Sequence, residues 1–163
     1  MAYGTEAGFT AYHTARGNDI SGMDSAAIAV ALVVGSDYVD GRGGRCFVGR
    51  RTAGYDQEGE WPRTGAVTTT GYPIPSDTVP TPVVNAAYEA GFFNFGTPGG
   101  LTPAIAPDAR RVLTQVDVLR WSVVGGSDPD ALRTVLTRVD DLLAPFIDCT
   151  VADGNAPFFG VIG

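Results

Sequence analysis

The sequence predicts a mainly α-helical domain: a small bundle of about four helices with a long ordered loop, a short β-hairpin or strand element and an extended C-terminal arm. Three observations carry that expectation. Apolar residues recur at helical spacing in separated segments. The 22 glycines and 11 prolines, about a fifth of the 163 residues, fall mostly between those segments. The tail, finally, is apolar without being periodic.

Residues 1–7 are small, polar and glycine-containing, and read as a loose lead-in. Phe9 to Arg16 carries Phe9, Tyr12 and His13 at helical spacing, with Gly17-Asn18 as its stop. Asp24 or Ser25 starts a second helix, with Ala27, Ala31, Val34 and Tyr38 on one face and Ile28 and Leu32 beside it. Its first half is apolar nearly all round, so it is expected to be the central, buried helix, ending at Asp40-Gly41. From Arg42 to Val79 the periodicity disappears into a glycine- and proline-punctuated loop, residues 42–79, of the length that marks a functional excursion or an interface element.

Within that loop Trp61, Pro62 and Arg63 form the expected anchor. The ring of Pro62 disfavours helical geometry at Trp61, Trp61 needs burial, and Thr64-Gly65 supplies the turn. Val67 to Thr70 reads as a brief turn or edge strand. Asp77 to Phe93 is the third helix, capped by Asp77 or Thr78, with Val83, Ala86, Ala87 and Ala90 on its apolar face and an ambiguous first turn at Pro80 and Pro82. After a Gly/Pro-rich stretch, residues 110–124 form a β element. There Arg111 to Val118 alternates and Leu119 to Val124 is its partner strand, one bent strand being the alternative. The last helix is capped by Ser127 or Asp128, has Pro129 at its first position, and carries Leu132, Val135, Leu136, Val139, Leu142 and Leu143 in register until Pro145 ends it. Residues 1–145 thus make one domain. Residues 146–163 make an arm whose Phe146, Ile147, Phe158, Phe159, Val161 and Ile162 are expected to dock on the domain itself or on a partner.

A chain this long buries roughly 70% of its unfolded surface. All 11 basic residues are arginine and the net charge is −7, which argues against a duplex-DNA binder that needs a basic face. Cys46 and Cys149 stand in dissimilar contexts and give neither metal-ligand spacing nor a disulfide framework. The first residues lack a signal-peptide pattern, and the longest apolar run, Ala26 to Val34, is too short to span a bilayer. Intracellular synthesis as a soluble protein, without membrane association, is the expectation.

No catalytic constellation emerges. His13, the one histidine, sits beside Tyr12 and reads as structural, without the Cys/His/carboxylate company of a metal site. Glu58/Glu60 and Asp140/Asp141 are carboxylate pairs in polar settings, read as solvated rather than acid–base groups. Gly41 to Arg45 and Gly96 to Gly100 lack the Lys-Ser/Thr of a phosphate loop, and no Gly-x-Ser-x-Gly elbow occurs. The expectation is a non-enzyme with no metal and no cofactor. Arg42, Arg45, Arg50 and Arg51, interleaved with Phe47, form the one local basic cluster. It reads as a solvated loop balancing Asp37, Asp40 and Asp56, or as a contact to a nucleic-acid backbone or to acidic residues of a neighbouring subunit.

Taken together, Tyr12-His13-Thr14-Ala15-Arg16-Gly17-Asn18, Asp37 to Arg42, Gly49-Arg50-Arg51, Trp61-Pro62-Arg63-Thr64-Gly65 and Val79-Pro80…Val83…Ala86-Ala87…Glu89 resemble the head–tail connector (adaptor, or head-completion) proteins of tailed bacteriophages, a family often labelled DnaT-like single-stranded DNA-binding. Val139 to Pro145 looks like the family's closing helix. The resemblance implies a virion protein of the neck: a ring, expected to be twelve-fold, beneath the portal protein. Such a ring carries double-stranded DNA through its channel without sequence-specific binding and meets a further neck or tail-completion protein. In that setting the arm docks on the portal and the 42–79 loop bridges neighbouring subunits. The competing reading is a phage single-stranded nucleic-acid binder. It needs stacking aromatics on a basic groove, yet Phe92, Phe93, Phe95, Phe158 and Phe159 lie in segments without arginine. A small hydrolase is a third, weaker reading.

Overall fold

The computed structural model describes residues 1–101, 111–115, 120–123 and 134–149, the two middle segments as backbone only. Among the described residues four helices carry the fold: α1 (Glu6–Thr14), α2 (Ser25–Gly43), α3 (Thr81–Gly96) and α4 (Thr137–Leu143). Four short strands among them make two separate antiparallel pairs, β1 (Arg50–Arg51) with β2 (Arg63–Thr64) and β3 (Arg111–Gln115) with β4 (Arg120–Val123). The mainly α expectation holds, and so does the β3–β4 hairpin, in which Arg111 pairs with Val123 and a register shift falls between Leu113 and Gln115.

Local chemistry sets most helix ends. Thr5, in extended geometry, accepts from the Gly8 amide and starts α1. The Asp24 side chain accepts from the Ala27 amide at 2.7 Å and starts α2. This helix runs past the expected stop at Asp40-Gly41 to Gly43, which lies directly under the Phe47 ring, where any Cβ would collide. The third helix begins at Thr81 rather than Asp77. Pro80 is extended (ψ 138°), and Pro82 occupies an early position where its missing N–H has no helical carbonyl to reach. The last helix is also shorter than expected. Thr134 to Leu136 are not helical, since the Thr134 hydroxyl donates to the Gly100 carbonyl and its own carbonyl accepts from the Tyr38 hydroxyl. The expected cap at Ser127–Asp128 and first turn at Pro129 fall outside the described residues.

Helices α2 and α3 cross with almost no side chain between them. A Cβ at Gly35 would strike the Ala87 carbonyl, and one at Gly91 would strike the Ala31 carbonyl. Around this crossing sit two apolar clusters. One gathers Phe9, Tyr12, Met23, Ile28, Leu32 and Tyr88. The other gathers Val39, Phe47, Trp61, Val83, Leu143 and Phe146, among others. Contrary to expectation, α2 is buried along one side only: Val30 is 59% and Val33 45% exposed.

In the C-terminal part Phe146 and Ile147 take the first of the two expected alternatives, docking on the domain itself: Phe146 is buried in the chain's own core and Ile147 pairs with Phe47 as an isolated β-bridge. Cys46 and Cys149, read as isolated, are joined by a disulfide across a sequence separation of 103 residues. Phe158, Phe159, Val161 and Ile162 lie outside the described residues.

Candidate functional site

The 42–79 loop is built around two side chains. Trp61, wholly buried and followed by a cis bond to Pro62, meets Phe47 and Phe146 edge-on at ring separations of 5.7 and 5.8 Å. Its backbone N–H donates to the Tyr3 hydroxyl (3.0 Å), which in turn donates to Asp40 (2.5 Å), while the Tyr3 amide donates to Ser36 on α2 (2.8 Å). The lead-in therefore pins the loop to α2. Burial, with the Tyr3 hydrogen bond as a smaller opposing influence, pushes the Asp40 carboxyl up to about 6. Burial likewise raises the Tyr3 hydroxyl above its ordinary range.

Arg63 fixes the other side. Its buried guanidinium donates to the carbonyls of Phe47 (3.1 Å), Val48 (2.8 Å), Gly49 (2.8 Å) and Glu60 (3.1 Å), and to the Glu60 carboxylate at 2.6 Å. Five donors in a planar fork satisfy a turn of backbone that has no helix or sheet of its own.

Two members of the predicted basic cluster are held by acidic partners of the chain itself. Arg42 makes a bidentate pair with Asp140 on α4 (2.7 and 3.0 Å). Arg51 reaches Glu60 at 3.8 Å and donates to the Gln57 carbonyl. Arg50 is exposed and forms no ion pair among the described residues, and of Arg45 only the backbone is described. Elsewhere Arg138 faces Glu89 at 3.3 Å, and Arg16 lies 3.4 Å over the Tyr12 ring. Among the described residues Arg42, Arg51 and Arg63 are thus paired within the chain, with Asp140 and Glu60 rather than with Asp37, Asp40 or Asp56.

The residues weighed for chemistry take structural places. His13 is fully buried, stacked 4.6 Å from Phe92; Nε2–H donates to the Tyr88 carbonyl (3.2 Å) and Nδ1 accepts from Asn18 (2.9 Å). This is the neutral imidazole, and burial lowers its pKa. Glu58 lies 3.2 Å from the amino group of Met1, and Glu60 and Asp140 are held by arginines. Among the described residues no group of His, Cys, Asp or Glu could hold a metal ion, and no helix is long and apolar enough to cross a membrane.

What sequence reasoning missed is a surface. On α2 the exposed Ala26, Ala29, Val30 and Val33 form an apolar stripe. Beside it, Ala27, Ala31, Gly91, Phe95 and Pro98 help line a shallow groove of about 450 Å³. The signal lies in the sequence: a helix apolar nearly all round its first half carries more apolar surface than its own domain covers. Two tyrosines on the loop, Tyr55 (89% exposed) and Tyr72 (72%), also stand in solvent.

No curated protein and no solved structure matches this chain. A family profile does match, over residues 2–159, and its family is described as "Putative DnaT-like ssDNA binding protein". The match spans both apolar clusters, the Trp61–Arg63 anchor and the Cys46–Cys149 link, and this chain belongs to that family.

Proposed function

We propose that the protein is a structural subunit of a tailed-phage particle. It forms a homo-oligomeric ring, expected to be a dodecamer, at the neck between the portal protein and a further neck or tail-completion protein. Double-stranded DNA passes through the ring without sequence-specific binding. The observation that carries this reading is the apolar stripe of α2, with Val30 59% and Val33 45% exposed beside the Phe95 groove. A well-capped helix that leaves its valines in water is suited to self-association. The ion pairs of Arg42 with Asp140 and of Arg51 and Arg63 with Glu60 support it further, because cations paired within the chain leave its net charge of −7 to favour a channel wall over which DNA slides.

The experiment is quantitative mass spectrometry of purified source particles. A copy number near that of the portal protein is the expected result. Absence of the chain from the particle overturns the reading.

Single-stranded DNA binding is the second reading, favoured by the family's description and by the exposure of Arg50, Tyr55 and Tyr72 on one loop. Fluorescence anisotropy of a labelled oligonucleotide tests it. Salt-sensitive binding that Arg50→Ala and Tyr55→Ala both weaken supports it, and no binding at low salt removes it.

A further inference from the structure

The segment Ala144–Cys149 closes over the aromatic end of the core. Backbone hydrogen bonds hold it there: Val48 N–H to the Phe146 carbonyl (3.0 Å), Asp148 N–H to the Cys46 carbonyl (2.7 Å) and Thr69 N–H to the Pro145 carbonyl (2.9 Å). Phe146 of this segment, together with Phe47, meets the Trp61 ring edge-on. The Cys46–Cys149 bond then ties the end of the segment to the turn after α2, with the two Cα atoms 4.4 Å apart.

We infer that Cys46 and Cys149 form a reversible thiol–disulfide exchange site, taking low-molecular-weight disulfides and thiols of the glutathione class, and that its state decides whether the closing segment can open by itself. Three features support this. While the sulfurs are bonded, residue 149 cannot leave residue 46, so the segment opens only with the region around Phe47. Once they are reduced, the segment is held by the packing of Phe146 on Trp61 and by a few backbone hydrogen bonds, with no covalent tie to the turn after α2, so it can open without that turn. Cys149 is exposed and Cys46 only partly buried, so an attacking thiolate has access, and the chain has no third cysteine to divert the exchange.

Closing the bond proceeds by two exchanges. The Cys149 thiolate attacks one sulfur of oxidised glutathione, giving a mixed disulfide and releasing one glutathione. The Cys46 thiolate then attacks the Cys149 sulfur and releases the second. The protein gives up two electrons and two protons, and oxidised glutathione becomes two reduced molecules. Excess reduced thiol runs both steps backward. The site is independent of the assembly role proposed above.

Hydrogen exchange on the full chain tests it. Without denaturant, reduction should speed exchange of the Val48, Thr69 and Asp148 amides by about tenfold or more, while the α3 amides of Ala86 and Ala87 keep their rates. Oxidised glutathione should restore the slow rates, and the Cys46→Ser chain should take up one glutathione at Cys149. The Cys46→Ser/Cys149→Ser chain should behave as the reduced protein, without any added reductant. The inference is overturned if the three amides keep their rates on reduction. It is equally overturned if all amides accelerate together, or if the bond resists thiol until the protein is unfolded.

Discussion

Arg63 shows how much a single side chain organises when its partners are backbone. Lysine at this position would offer one compact charge in place of a planar fork, leaving several of the Phe47, Val48, Gly49 and Glu60 carbonyls without their donor. Arg63→Lys should therefore cost about 1–3 kcal/mol in urea unfolding, and wild-type stability in that variant would show that the loop holds itself. Asp40 makes a second prediction, with a sign. Its carboxyl sits at about 6 when folded, above the ordinary value of 3.8, so the folded state binds the proton more tightly than the unfolded state. Its contribution is present at low pH and lost as pH rises through about 6. His13 acts oppositely, since burial lowers its pKa, and its contribution is lost as pH falls below the ordinary 6.5. Asp40→Asn should gain thermal stability relative to wild type as pH rises from 4 to 7; parallel profiles would contradict this. Of these residues the sequence revealed the type but not the company. Trp61 had to be buried whatever the fold, whereas the carbonyls around Arg63 are set by how the chain returns on itself. Nothing local in either cysteine's neighbourhood marks a partner 103 residues away.

At the scale of elements, the α2–α3 crossing is the most demanding contact. Gly35 and Gly91 let backbone meet backbone, and a methyl group at either position has a carbonyl in its way. Gly35→Ala should cost about 1–3 kcal/mol by overpacking, despite the higher helix propensity of alanine. The Gly35→Ala/Gly91→Ala pair should depart from additivity, because both methyl groups push on one interface. Chemical denaturation of the single and double variants checks both statements, and a neutral Gly35→Ala would mean the helices shift apart freely. Helix existence was legible from periodicity, and α1, α2 and α3 all appear. Their ends were less legible where a distant group decides them, as the Gly100 carbonyl does for Thr134. Alternation offered the β3–β4 pairing beside one bent strand, and the structure shows the pairing.

For the whole molecule, the stripe on α2 separates stability from assembly. Val30→Asp/Val33→Asp places charges on positions that already face water, so thermal unfolding should stay close to wild type. Native mass spectrometry should then show the loss of any ring that the wild-type chain forms. A ring that survives the double substitution would place the subunit contact elsewhere. The candidate interface was only half legible: an all-round apolar helix announces a surface to be covered, but whether its own domain or a second copy covers it depends on how many elements pack around α2. The covalent link between Cys46 and Cys149 also has a mechanical meaning. A chain pulled by its two ends while that bond is intact cannot pay out the 103-residue stretch it encloses, so roughly 350 Å of contour length stays hidden from the force. In a force–extension trace the oxidised protein is a short tether and the reduced one a long tether, and the tension falls on the link rather than on the helices inside it.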